Sequence, residues 1–123
     1  MFAQSPEIRR RFPTLRSRLL LGQGVDRLDR AALDPAPHVA KALARLAEAP
    51  ESALHSIRAW REAFAAMGLK PTQVRSAPEA LLRRLRLQGD LPRLHPLVAF
   101  GNAVSAAHAI PLANSIWTAS GVA

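Results

Sequence analysis

At 123 residues, with 49% hydrophobic and only 5% aromatic content, the chain has room for one domain whose core must be built from Leu, Ala, Val and Ile. It has no cysteine, which excludes a disulfide scaffold, a zinc ribbon and a thiol nucleophile together. A formal net charge of +8, from 17 basic and 9 acidic residues, makes a polyanion the first partner to consider.

In chain order, residues 15–25 (LRSRLLLGQGV) are expected to form a strand. Leu15, Ser17, Leu19 and Leu21 alternate with Arg16, Arg18 and Leu20, and Gly22 and Gly24 punctuate the end. Asp34-Pro35-Ala36-Pro37 is a break, after which Val39, Leu43 and Leu46 recur at helical spacing up to Ala49-Pro50. The next helix is expected from about Glu51 to Met67, with Ile57, Trp60, Phe64 and Met67 as its buried stripe and Gly68 as its C-cap. Ser76-Ala77-Pro78-Glu79 reads as a capping box that opens a third helix. Leu81, Leu82 and Leu85 form the apolar face of that helix, Arg83, Arg84 and Arg86 lie round its other sides, and Gly89 ends it. A fourth helix should start near His95-Pro96 and run to about Ala109, with Leu97, Phe100, Val104 and Ala107 inward; Pro111 then forces a turn or an extended segment. The fold class expected is α+β: about four helices against a short sheet that includes residues 15–25.

The chemistry legible from residue types is sparse. His38, His55, His95 and His108 are not spaced as metal ligands, so no metal is expected, and no cofactor either. Gly22-Gln23-Gly24 lacks the third glycine and following helix of a phosphate loop, and no serine sits in a nucleophile elbow, so no catalytic residue is identified. Fifteen of the 17 basic residues are arginine, with Lys41 and Lys70 the exceptions. Two explanations stand side by side: a GC-rich genome, and use of the planar guanidinium on phosphates and bases. Arg83, Arg84 and Arg86 read either as a phosphate track or as a solvated helix face. Asn102, between Gly101 and Ala103, reads either as a group facing a ligand or as a polar residue bonded locally. No apolar run approaches the roughly 18 residues of a bilayer span, and residues 1–11 have no signal-peptide core, so a soluble cytoplasmic protein is expected.

A longer pattern runs through Trp60-Arg61-Glu62-Ala63-Phe64-Ala65-Ala66-Met67-Gly68-Leu69-Lys70-Pro71, then Ser76 to Arg84, then Leu91-Pro92-Arg93-Leu94-His95-Pro96-Leu97-Val98, and last Asn102-Ala103-Val104-Ser105 with Ile110-Pro111. In this order and spacing it resembles the B3/B4 domain, the editing module of the phenylalanyl-tRNA synthetase beta subunit, and most closely its free-standing bacterial relatives. Ser5-Pro6-Glu7 and Gly24-Val25-Asp26 fit the opening of that group, and the resemblance covers residues 5–112. It implies a helix-rich domain with a short sheet, a tRNA partner, and hydrolysis of mischarged aminoacyl-tRNA without a metal or a protein nucleophile. On that resemblance Asn102 matches the family's pocket asparagine and Ser105 lies one turn on. Arg83, Arg84, Arg86 and Arg93 would hold tRNA phosphates. A site that hydrogen-bonds a hydroxyl separates Tyr from Phe far better than an apolar slot does. The alternative is a non-catalytic RNA- or protein-binding module, or an inactive fragment of an editing protein.

Three departures from the family stand out: Ala99 where relatives carry an acid, Gly101 before the asparagine, and Ala113 near a family histidine. The family's second half, with its Gly-Glu motif, is not found. Residues 1–112 are therefore expected to be an N-terminal portion of such a domain, and residues 113–123 a divergent tail. Read one base earlier with GC-rich codons, residues 114–120 translate as Glu-Leu-Asp-Leu-Asp-Arg-Ile, a strand of the kind relatives carry, which suggests a frameshift; a short paralogue with its own ending is the competing reading. Half a sheet would leave unpaired edges, so self-association through them is expected.

Overall fold

The computed structural model describes residues 4–114 and the backbone of 117–118 and 121–122. Among the described residues five α-helices carry the fold: α1 (Pro6–Arg11), α2 (Ala36–Glu48), α3 (His55–Ala66), α4 (Ala77–Gln88) and α5 (Pro96–His108). Short 3-10 turns at Val25–Arg27, Arg30–Leu33 and Glu51–Ala53 join them. The helix starts follow local chemistry. Ser5 accepts from the Ile8 N–H at 3.2 Å with Pro6 in the first turn of α1, and Asp34 accepts from the Ala36 N–H at 3.0 Å where α2 begins. His95 caps α5 with its ring, Nδ1 accepting from the Leu97 N–H at 3.2 Å. The ends are equally local: Gly68 and Gly89 take left-handed φ values of +81° and +79° after α3 and α4.

The core is small and aliphatic. Ala42 of α2, Ile57 of α3, Leu82 and Leu85 of α4, and Ala106 with Ala109 at the end of α5 are buried together. Val39, Leu46, Leu54, Leu81 and Leu91 pack around them. α5 is the central element: α2 and α4 both lie against it, and they touch one another as well. Its buried residues are Gly101, Ala103, Ser105, Ala106 and Ala107. Of the inward set expected for this helix, only Ala107 is buried, while Leu97, Phe100 and Val104 are half-buried. Two helices pressing on α5 favour its small side chains, because helix separation is set by what lies between the axes.

The sheet is the expectation that fails. Residues 15–24 form no strand, and Leu20 and Leu21 are 94% and 88% exposed. A strand is stable only against a partner that takes up its backbone donors and acceptors, and the described residues offer none there. The β pairing described is two residues long on each side, β1 (Trp117–Thr118) against β2 (Gly121–Val122), and makes no layer. The domain is helical rather than α+β. Self-association through sheet edges loses its ground with the sheet, and of the divergent tail residues 115–116, 119–120 and 123 lie outside the described residues. The capping box also differs. Ser76 occupies the N-cap, yet its hydroxyl makes no capping bond, and Glu79 turns to Arg61 instead. No helix among the described residues is long and apolar enough to cross a membrane.

Leu82→Ala should lower unfolding free energy by about 2–5 kcal/mol, because a buried leucine leaves a cavity that rigid helices fill poorly. Leu20→Ser should change it by less than about 0.5 kcal/mol, the effect of an exposed position. Urea unfolding followed by helix circular dichroism checks both, and a costly Leu20→Ser would mean residues 15–24 pack somewhere the structure leaves open.

Candidate nucleic-acid interface

The arginines expected on phosphates divide into two kinds. Arg86 is held by the fold: its Nε donates to Glu51 Oε2 at 2.7 Å and its Nη2 to Glu51 Oε1 at 2.8 Å. This two-pronged bond seats Glu51, only 4% exposed, in the 3-10 turn before α3. The Arg86 hydrogen bonds hold the Glu51 carboxyl below its ordinary pKa against the opposing effect of burial, and the charge of Arg83 lowers it further. Arg84 donates to Asp90 at 3.4 Å, while its Nε is buried without a partner. Arg83 is half-buried and Arg93 is exposed, and neither has a carboxylate within 4.0 Å among the described residues.

The two residues expected to line a pocket are not equivalent. Asn102 is half-buried on α5. Ser105 is 2% exposed, and its hydroxyl donates to the Ile110 carbonyl at 2.5 Å. The Ile110 N–H donates back to the Ser105 carbonyl at 3.2 Å, closing the turn in which Ala109 takes a left-handed φ of +54°. Ser105 therefore fastens the end of α5. Beside Asn102, a Cβ on Gly101 would come within 2.5 Å of Asn114 Nδ2 and 3.1 Å of Leu112 Cδ2. The glycine lets residues 112–114 fold back closely onto the helix. A cleft does exist at the other end of α5, lined by Val25, Asp26, Leu28, Arg30, His95 and Leu97, and neither Asn102 nor Ser105 borders it.

A second buried carboxylate is that of the residue read as the glutamate of a capping box, whose pairing with Arg61 the sequence did not suggest. Glu79 of α4, 2% exposed, accepts from Arg61 Nε at 2.9 Å, with Arg75 Nε 4.0 Å away. Its Oε2 and the Ser76 hydroxyl are buried without hydrogen-bond partners among the described residues. The partners of Glu51 and Glu79 stand 35 and 18 residues away, beyond any local pattern. A basic group between α2 and α5 was equally silent. His38, Lys41 and Arg45 lie on the α2 side facing His108 at the end of α5, and His38 meets the Phe100 ring edge-on at 5.2 Å. Partial desolvation holds the His108 imidazole below its ordinary pKa, with the charges of Lys41, Arg45 and His38 adding to it. No family model, curated protein or solved structure matches the chain.

Both shifts depress a folded-state pKa, so each contribution to stability is present above the unfolded pKa and lost as pH falls. For His108 the loss begins near pH 6.5; for Glu51 it begins near pH 4.5. Thermal unfolding across this range should show two declines, the upper flattened by His108→Gln and the lower by Glu51→Gln. Arg86→Ala should lower the midpoint at neutral pH clearly more than Arg93→Ala; equal effects would mean that the Glu51 bond does not hold the turn.

Proposed function

We propose that this chain is a B3/B4-like module that binds tRNA in the cytoplasm through its arginine-rich surface and does not itself hydrolyse the aminoacyl bond. The observation that carries the reading is the pairing of charge. Among the described residues, only Arg61, Arg75, Arg84 and Arg86 lie within 4.0 Å of a carboxylate, so most of the positive charge faces solvent uncompensated. Such a surface raises the local concentration of a polyanion and exchanges its condensed counterions for arginine. Arg83 and Arg93 remain as phosphate ligands of the four expected, while Arg86 and Arg84 serve mainly to hold α4. The binding rather than hydrolytic reading is supported by Ser105, whose hydroxyl is sealed against Ile110.

Anisotropy of labelled tRNA should show an affinity that falls linearly with salt on logarithmic axes between about 50 and 200 mM. Arg83→Ala and Arg93→Ala should each reduce the slope by about one unit. Phenylalanine tRNA mischarged with tyrosine should lose its amino acid no faster with the protein than without it. Failure to bind at the lowest salt would remove the proposal. Hydrolysis that disappears in Asn102→Ala would overturn its non-catalytic part.

A further inference from the structure

We propose that His38, Lys41 and Arg45 of α2, with His108 of α5, form a binding site for a phosphate group in the seam between these two helices. His38, Lys41 and Arg45 stand at positions i, i+3 and i+7, which places them along one face of α2. That face borders α5, because Ala42 is buried in the core with Ala106 and His38 meets the Phe100 ring. His108, exposed in the last turn of α5, lies near enough to feel the charges of Lys41, Arg45 and His38.

Among the described residues, no carboxylate lies within 4.0 Å of the group. α5 contains none, and the single carboxylate of α2, Glu48, is exposed and within 4.0 Å of none of the four. Elsewhere the protein satisfies its inward-reaching arginines with carboxylates, as Arg86 with Glu51 and Arg61 with Glu79. Here desolvation, with the charges of Lys41, Arg45 and His38 adding to it, depresses the protonation of His108 instead. A bound anion removes that mutual repulsion. The donor types suit phosphate: a planar guanidinium for a two-pronged bond, a mobile ammonium, and imidazole N–H groups at the rim. As pH falls, His108 gains a proton most readily when a phosphate is beside it, so binding strengthens toward lower pH. The groups facing His108 across the seam are Lys41, Arg45 and His38, all basic, so no nearby acid reverses that sign.

The phosphate has two sources, an RNA backbone or a free phosphate, and only the first rests on the proposed tRNA binding. The test is the titration of the histidine ring signals by NMR, in protein alone, with inorganic phosphate, and with tRNA. A phosphate at this site should move the His108 titration upward by about one pH unit or more, leaving His55 unmoved as the internal control. Lys41→Gln and Arg45→Gln, which keep the apolar stems, should abolish the movement. Movement with inorganic phosphate alone supports the site with a free phosphate as its ligand; movement with tRNA supports it with RNA. If neither probe moves His108, the site is overturned. If tRNA binds the unsubstituted protein with the expected salt slope while neither probe moves His108, the tRNA reading stands and this inference falls.

Discussion

The close approach of α2 and α4 to α5 is the constraint on which the rest depends. α5 presents Gly101, Ala103, Ser105, Ala106 and Ala107 to its neighbours, so the helices meet through methyl groups and backbone rather than long side chains. A helix built this way buries little apolar area per residue and relies on close packing for its stability. It also leaves the larger side chains of α5 at the margins. Phe100 reaches His38, and Leu97 borders the cleft with His95. The short aliphatic core follows from this, as does the need for polar fastenings at its edges.

Those fastenings consume part of the positive charge. Glu51 and Glu79 are nearly buried carboxylates, and each is held by an arginine from another element. Such pairs add little net stability over apolar packing, yet removing one partner leaves a carboxylate stranded. Arg86 and Arg61 therefore act in folding before any partner arrives. The same geometry separates arginines by role: those opposite a buried acid belong to the fold, and those without one face whatever the protein meets. Counting arginines in the sequence cannot make this division, because the deciding acids come from distant positions.

The four main helices were legible because their signals are local. Pro35 and Pro37 at the start of α2, Gly68 after α3, Gly89 after α4 and His95-Pro96 at the start of α5 each act within a turn of the boundary they set. Residues 15–25 misled for the same reason. Their alternation is a sound strand signal, but it states only that one face wants burial and cannot state that a partner strand exists. Ser76 and Glu79 show a similar failure at smaller scale. The capping-box spacing is present, while Arg61, 18 residues away, offers the glutamate a charged donor, which is stronger than an amide. At the site, Asn102 was singled out by its small neighbours and by the family resemblance, and Ser105 by the resemblance alone. The hydroxyl of Ser105 was taken by a carbonyl five residues on, which no motif encodes.

The seam between α2 and α5 ties these threads together. Close helix packing buries Ala42 and Ala106 in one core, and that shared burial fixes which face of α2 turns toward α5. His38, Lys41 and Arg45 flank Ala42 on that face and are carried to the seam with it. The small residues of the core thus decide where four basic groups gather. A chain under pressure only to fold would meet this row with an acid, as it does at Arg86 and Arg61, because uncompensated like charges oppose compaction. Leaving the row unanswered makes sense when the missing negative charge comes from outside the protein.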